Sequence, residues 1–335
     1  MSSQFSMKSY MKGALLLTVA ALIVKVLSAV YRVPFQNLVG DQGFYVYQQV
    51  YPFISFFVVW TSGGVAVAIS KMLADTNEEG IKQGITKVIF QYLTALSLLF
   101  FALLFFGAHM LSSWMGDPLL APLLKTGAFI TLCMPALAIM KGTFQSRGMM
   151  EPVAYAQVFE QAIRVSIILI GTIIVMTTLS QSVYAAGNMA VLGTVIGELA
   201  GLILLFVYMR KKGILFKGSI TIPKWPIIKE VTIFSITVSM SSLLLLAYQL
   251  VDSFTVFSML VDLGMPTLEA METKGIYDRG QPLVQLGIVI ASSFSLAIVP
   301  LVAHKSKKNT CDEVPYIQLT YRAALLFGLA ASLGL

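Results

Sequence analysis

Charged side chains are scarce in this sequence of 335 residues, since aspartate, glutamate, lysine and arginine together make up only 12% of it. A soluble domain carries about 25% charged residues. Hydrophobic residues make up 57% of the chain, and they fall into blocks of about 20 or more, the length that spans the hydrocarbon core of a bilayer. The composition excludes a soluble enzyme, a nucleic-acid-binding protein and a secreted scaffold. It predicts an all-α integral membrane protein with several spans.

Cysteine and histidine are also rare, with two residues of each. Cys133 and Cys311 lie in different segments, and the histidines are equally isolated, so the spacing of a disulfide framework or a metal site is missing. The sequence has no phosphate-binding glycine loop followed by Lys-Ser or Lys-Thr, and no HExxH motif. Gly63 and Gly64 lie within an apolar segment, where we expect them to loosen a helix. We therefore predict no enzyme activity, no cofactor and no metal.

Nine apolar segments are predicted to cross the membrane. The first is too long for the apolar core of a signal peptide and no early cleavage site follows it, so we expect it to stay in the protein. The segments run approximately over residues 13–39, 44–73, 88–111, 119–140, 153–176, 188–209, 227–253, 282–303 and 316–335.

The lysines and arginines predict the orientation of these segments, because cytoplasmic loops are enriched in them. With a cytoplasmic N-terminus, most of the 23 lie in loops or at segment ends on the cytoplasmic side, including Lys141 just after the fourth segment. Only Lys125, Lys274 and Arg279 lie in loops or at segment ends on the opposite side. The net charge of +7 is then explained by loops that face anionic membrane lipid, without a nucleic-acid partner.

The longest cytoplasmic connection is a basic stretch that separates six segments from the other three. It predicts an N-terminal six-helix lobe over residues 1–210, a linker over 211–226 and the start of a second lobe over 227–335. Leu335 lies in an apolar run with no interfacial anchor after it, whereas membrane segments normally end with such anchors. We expect the second lobe to be truncated there.

Two cations lie inside the first segment, where a charge at the bilayer centre costs about 2.5–3.5 kcal/mol on insertion scales. Lys25 lies close to the predicted midplane, and Arg32 follows two helical turns later on the same face. Pro34, just beyond, can kink the helix. Both cations are candidates to face a substrate cavity. The alternative is snorkelling to the interface, which suits Arg32 better than Lys25.

Three further charges lie in segments five and six. Glu160 and Arg164 have the i, i+4 spacing, with the acid first, that favours an ion pair on a helix. The pair is a candidate for transport or for helix packing. Glu198 lies among glycines spaced four residues apart, which allow close approach of a neighbouring helix, so we expect its side chain to point at a partner helix.

Segments seven and eight contribute two more candidates. Asp252 follows a row of serine and threonine hydroxyls in segment seven and is a candidate for ion coupling or for packing. Arg279 lies at the mouth of segment eight, where an arginine taken alone is more often an interfacial anchor than a ligand contact.

Several stretches together resemble the MurJ/SpoVB branch of the MOP flippase superfamily. They are KVLSAVYRVPF from Lys25, GGVAVAISKM from Gly63, EQAIRV from Glu160, YDRGQPL from Tyr277 and AIVPL from Ala297. The resemblance implies two six-helix lobes that form a V in the bacterial cell membrane. It also implies that a lipid-linked cell-wall precursor, such as lipid II, is flipped by alternating access through a cationic cavity.

The resemblance carries over to three residues. Lys25 matches a position where members typically have arginine, and Arg32 lies one place after another such arginine. Arg279 matches a cavity arginine at the head of helix eight. The implied partners are the lipid-linked glycan, membrane lipid and a coupling ion, with a role in vegetative peptidoglycan synthesis or in sporulation.

Two other functions are open to a membrane protein of this kind. A cation-coupled multidrug exporter of the same superfamily would favour intramembrane acids over cations, and the segment interiors contain both. A membrane glycosyltransferase would need a large loop domain or catalytic acids at an interface, and the sequence provides neither. The cations of the first segment favour an anionic substrate and hence the flippase.

Overall fold

The structure is a computed structural model that describes residues 7–179, 181–214 and 222–281, with a few isolated positions between 318 and 329. Within these residues every regular element is helical, which confirms the predicted all-α class. Predicted segments eight and nine, and the cut end expected at Leu335, lie outside the continuously described residues.

Ten α-helices follow one another along the described chain. They are α1 (Met7–Val30), α2 (Arg32–Val59), α3 (Ala66–Ala74), α4 (Glu79–Phe106), α5 (Ala108–Trp114), α6 (Ala121–Ser146), α7 (Glu151–Ile173), α8 (Val183–Lys211), α9 (Lys224–Asp262) and α10 (Thr267–Asp278). Two π-helical turns, Trp60–Val65 and Ile174–Thr178, extend α2 and α7, and a 3₁₀ turn, Pro118–Leu120, precedes α6.

Six stretches of described helix are long and apolar enough to cross a membrane. The first, Leu16–Ala74, contains 59 residues and would be about 88 Å long as one straight helix, against about 30 Å of hydrocarbon. It therefore provides two crossings, as the sequence predicts. The others are Glu79–Phe106, Pro118–Ser146, Glu151–Thr178, Val183–Lys211 and Ser242–Asp262. The chain is thus a multi-pass membrane protein.

The first two crossings form a hairpin that turns at Gly40 within α2. Gly40 has a φ of 67°, in the left-handed region that glycine adopts without a steric penalty. The hydroxyls of Tyr31 and Tyr47, on opposite sides of the turn, lie 3.0 Å apart. The rings of Phe35 and Tyr47 pack edge to face with centroids 5.3 Å apart. The turn thereby brings Arg32, next to Tyr31, alongside the second crossing.

The bundle has two ends, which we call the Asp117 end and the Arg147 end. At the first, the Asp117 carboxylate accepts hydrogen bonds from Tyr45 of α2 at 3.3 Å and Tyr184 of α8 at 2.7 Å. Because this carboxyl is largely buried, its pKa is raised above the usual range for aspartate. At the other end, the loops that follow α3 and α6 lie near the residues that begin α9.

Helix α9 packs closely against the π-helical turn of the second crossing. A Cβ atom at Gly64 would lie 2.3 Å from Ser239 Oγ and 2.4 Å from the Ser235 carbonyl oxygen, so only glycine permits this approach. Trp60 Nε1 also donates a hydrogen bond to Ser235 Oγ at 3.2 Å. The expected departure from α-helical geometry at Gly63 and Gly64 is present, and it coincides with the contact to α9.

We expect Gly64→Ala to lower the free energy of unfolding by about 1–3 kcal/mol, the usual cost of overpacking, because the added methyl meets the backbone of α9. Gly63→Ala is the matched control, since its Cβ would lie 3.8 Å from Ser239 Oγ, an ordinary contact distance. Thermal melts of the purified protein in detergent measure the difference. Equal melting temperatures for the two variants would contradict the close packing of α9.

Candidate functional site

A cavity of about 130 Å³ lies between α1, α2, α7 and α8. Two arginines border it, Arg32 from the start of α2 and Arg164 from the middle of α7. Tyr31, Tyr47 and Tyr51 supply most of its aromatic wall. The Gly40 hairpin creates this arrangement, because it places the beginning of α2 opposite the tyrosines of the second crossing.

Arg32 is buried, with 3% of its surface exposed. Its guanidinium carbon lies 5.0 Å from the centroid of the Tyr51 ring, the geometry of a cation–π contact. Its Nε and Nη1 atoms are buried and have no hydrogen-bond partner in the protein. A buried guanidinium with unused donors is suited to bind a carboxylate or a phosphate. The arginine predicted within the first segment thus borders a cavity rather than snorkelling.

Arg164 connects this cavity to a buried cluster of charges. Its Nη2 donates to Glu160 at 3.0 Å and to Glu198, on the neighbouring α8, at 3.2 Å. Its Nη1 donates to Gln161 at 3.2 Å, while its Nε is buried without a partner. The i, i+4 contact expected between Glu160 and Arg164 is therefore present, and Glu198 points at a partner helix as expected.

Lys141 completes the cluster. Its ammonium lies 3.7 Å from Glu160 and donates to Ser62 Oγ at 2.8 Å, and only 2% of the residue is exposed. The prediction that Lys141 lies outside the fourth membrane segment is wrong. Helix α6 continues to Ser146, six residues beyond the predicted end, and carries Lys141 into the bundle. The cluster then holds two carboxylates and two cations and is electrically balanced.

Two predicted cavity cations lie elsewhere. Lys25 is half-buried on α1 and is not among the residues that line the cavity. Arg279 lies just after α10 at the Asp117 end, where its Nε donates to Asp41 at 2.9 Å and its Nη2 also contacts that carboxylate. Gln42 donates to Glu272 at 3.1 Å beside it. In this conformation, the contact of Arg279 with Asp41 links the end of α10 to the Gly40 turn.

Asp41 was missed by the sequence reasoning, because a single acid at a turn is an ordinary surface residue. Asp252, a predicted candidate, is buried in α9 and accepts a hydrogen bond from the Tyr277 hydroxyl at 3.2 Å. Among the described residues, no group of three or more histidine, cysteine, aspartate or glutamate side chains could hold a metal ion. Cys133 is buried as a free thiol, and Cys311 lies outside the described residues.

Comparison with known families and proteins gives a consistent result. The model of a family described as polysaccharide biosynthesis protein matches residues 10–305. Three Bacillus subtilis (strain 168) proteins are similar: uncharacterized membrane protein YabM at 39% identity, stage V sporulation protein B at 30% and lipid II flippase MurJ at 22%. The alignments cover 97%, 96% and 87% of this chain but 61%, 63% and 57% of those proteins. The chain thus spans about three fifths of their length.

A solved structure shows the same fold. An inward-facing multidrug resistance MATE family transporter of the MOP superfamily superimposes with a TM-score of 0.67 at 14% identity. The alignment covers 96% of this chain and 72% of that one. At this identity the likeness shows the fold alone, which is the two-lobe helical fold predicted from the sequence. The relatives with an activity in their names are a flippase and a transporter, not enzymes.

We expect substitutions in the buried cluster to change the free energy of unfolding. Arg164→Gln leaves Glu160 and Glu198 facing Lys141 alone, and breaking a buried ion pair costs about 3–5 kcal/mol of unfolding free energy. The double variant Glu160→Gln, Arg164→Gln keeps one acid and one base, so we expect it to be more stable than Arg164→Gln. Thermal melts in detergent test this order.

The exposed pair of Glu79 and Lys82, with atoms 3.5 Å apart, provides the control. Glu79→Gln should change the stability by less than about 1 kcal/mol. A double variant as unstable as Arg164→Gln would show that the carboxylates and cations of the cluster do not compensate one another.

Proposed function

Because the chain belongs to the polysaccharide biosynthesis protein family, in the MurJ/SpoVB branch of the MOP superfamily, we propose that it flips a lipid-linked oligosaccharide precursor of the cell wall. The proposed substrate is a lipid II-like glycan on undecaprenyl pyrophosphate. The proposed route is alternating access across the bacterial cell membrane, in vegetative growth or in sporulation. The names of two relatives, a lipid II flippase and a sporulation protein, support this class of substrate.

The proposal rests on the buried Arg32, which borders a cavity together with Arg164. The Nε and Nη1 atoms of Arg32 have no hydrogen-bond partner in the protein. A pyrophosphate is anionic, and its transfer into hydrocarbon without compensation would be prohibitive. Charge-assisted hydrogen bonds from a guanidinium can replace the lost hydration of the phosphate oxygens. The charge of Arg164 is already balanced by Glu160 and Glu198, so Arg32 supplies the net positive charge of the cavity.

The proposal includes an orientation with the N-terminus in the cytoplasm. The Arg147 end then faces the cytoplasm and the Asp117 end faces the outside. Basic residues near the Arg147 end agree with the enrichment expected of cytoplasmic loops. They are Lys71, Lys82, Arg147, Arg210, Lys211 and Lys212.

We also propose the predicted division into lobes, with the spans up to α8 as the first lobe (1–210) and α9 opening the second (227–335). The linker predicted over 211–226 begins with the last residue of α8, and its final residues already belong to α9. Opening of the Asp117 end would separate α10 from the Gly40 turn and break the contact of Arg279 with Asp41. Arg279 would then be available to exchange that carboxylate for a substrate phosphate, in the cavity role that the resemblance implies.

Export of a cationic drug is the second candidate, supported by the likeness to the MATE family structure. Such a substrate needs an acid that is free to bind it. Glu160 and Glu198, in the first lobe, are instead paired with Arg164 and Lys141. The charges around the cavity therefore favour the flippase.

We expect Arg32→Gln to weaken binding of undecaprenyl pyrophosphate by about 10- to 100-fold, or ~1.4–2.8 kcal/mol. The reason is that a hydrogen bond to a charged group contributes roughly this much. The purified chain in nanodiscs is titrated with the lipid, and binding is followed by native mass spectrometry. Arg32→Lys should retain part of the affinity because it keeps the charge but loses the planar fork.

The matched control is Arg147→Gln, which removes an equal charge at the end of α6, away from the cavity. Neutral undecaprenol serves as the control ligand. Equal binding of the pyrophosphate lipid to wild type and Arg32→Gln would contradict the anionic mechanism. Preferential binding of an amphipathic organic cation would move support to drug export.

A further inference from the structure

Arg164 belongs both to the wall of the main cavity and to the buried charge cluster. Its Nη2 atom donates to Glu160 at 3.0 Å and to Glu198 at 3.2 Å, whereas its buried Nε atom has no hydrogen-bond partner among the described residues. Arg32 borders the same cavity with two unpaired donor nitrogens of its own. The two guanidiniums can therefore bind the two phosphates of a pyrophosphate together.

The charges around this cavity do not neutralise a diester of pyrophosphate. Arg32, Arg164 and Lys141 supply three positive charges, and Glu160 and Glu198 supply two negative ones. Such a diester carries two negative charges and does not titrate near neutral pH, unlike a phosphate monoester, whose second pKa is about 6. Its binding would leave one negative charge uncompensated away from water, and buried groups relieve such a cost by changing their protonation.

The neighbouring side chains do not supply the missing positive charge. A smaller cavity of about 10 Å³ lies near the Asp117 end, on the other side of Tyr51. Asp252, Lys274 and Asp278 border it and add two negative charges and one positive charge. A proton on one of the buried acids can provide the compensation that these residues lack.

Glu198 is the acid that depends most on Arg164. Glu160 contacts Arg164 and also lies 3.7 Å from the Lys141 ammonium, whereas within the described chain Glu198 forms an ion pair with Arg164 alone. Glu198 is 2% exposed and lies one helical turn from Thr194, which borders the cavity. When a phosphate shares the charge of Arg164, Glu198 therefore loses more of its compensation than Glu160 does.

The titratable groups around Glu198 and Arg164 come from α2, α6 and α7 as well as from α1. They are Tyr47 on α2, Cys133 and Lys141 on α6, Glu160 on α7 and Tyr31 after α1. The phenols and the thiol are neutral near neutral pH. Glu160 contacts the same Nη2 atom as Glu198, and neighbouring carboxylates readily hold one proton between them. A protonated Glu198 can donate its O–H group to the Glu160 carboxylate.

We propose that binding of a pyrophosphate by Arg32 and Arg164 is coupled to the uptake of one proton by Glu198. The proton comes from the solvent and forms an O–H bond at the carboxylate, without any transfer of electrons. The bound pyrophosphate, the three cations and the remaining carboxylate are then neutral together. This inference rests on the proposed function, since its ligand is the proposed headgroup, and it adds that the affinity for this headgroup falls as the pH rises.

Calorimetry measures the proton uptake directly. The purified chain in nanodiscs is titrated with farnesyl-pyrophosphoryl-N-acetylglucosamine, a soluble diester of pyrophosphate, in buffers that differ in their enthalpy of ionisation. The dependence of the observed heat on the buffer gives the number of protons bound per ligand. Over the range from about pH 5 to pH 8, we expect the uptake to approach one proton and the affinity to fall by up to about tenfold per pH unit.

A substitution at Glu198 locates the proton. Glu198→Gln should abolish the uptake and retain binding, because glutamine has the charge of the protonated acid. Its affinity for the diester should then be independent of pH, which a purely structural role of Glu198 would not produce. The matched control is Glu151→Gln, the same substitution in the exposed first turn of α7, which should keep both the uptake and the pH dependence.

The outcomes separate this inference from the proposed function. Binding of the diester to the wild-type chain without proton uptake would overturn the inference and leave the proposed function standing. No binding of the diester would contradict the proposed function and the inference with it. Full uptake in Glu198→Gln would also overturn the inference. In that case Asp278→Asn tests the other acceptor, because burial raises the pKa of Asp278 to about 6.

Discussion

Holding charge away from water costs free energy, and in this helical bundle the ion pairs of Arg164 offset part of that cost. Its guanidinium joins Glu160 on its own helix to Glu198 on the next, so that α7 and α8 are linked by charge as well as by packing. Glycine makes the link geometrically feasible. A Cβ atom at Gly197 would lie 2.9 Å from the Glu160 carbonyl oxygen and 3.0 Å from Arg164 Cβ, so a larger residue would push the helices apart.

Because the charge of Arg164 is neutralised by its partners, other residues determine the net charge around the cavities. Because its charge is matched by two acids that face Lys141, the main cavity owes its positive character to Arg32, which packs against the Tyr51 ring. Towards the Asp117 end, a smaller cavity has the opposite balance, since Asp252 and Asp278 border it together with Lys274. Tyr51 borders both cavities. A single aromatic side chain therefore separates a cavity bordered by two cations from one bordered mainly by acids.

The sequence predicted those features that depend on local spacing. Apolar runs identified the described crossings, the i, i+4 spacing identified the contact of Glu160 with Arg164, and the glycines around Glu198 indicated a close helix partner. Features that depend on distant parts of the chain were missed. Lys141 meets Ser62 across 79 positions of sequence, and Asp41 meets Arg279 across 238. Neither residue differs in its own neighbourhood from an ordinary residue at a helix end or in a turn, so only the folded bundle reveals what it contacts.

The π-helical turn at Trp60–Val65 also controls how the two halves of the second crossing are rotated about their common axis. Such a turn contains one residue more than an α-helical turn, and each residue corresponds to about 100° of rotation. The extra residue therefore fixes the azimuth of Tyr51 and Gln48 relative to Lys71 and the contact with α9. A relative one residue shorter in this turn would present a different face of the same helix to both cavities, even if every side chain along it were identical. Alignments across this family must therefore match the turn before they can match the residues that line the cavities.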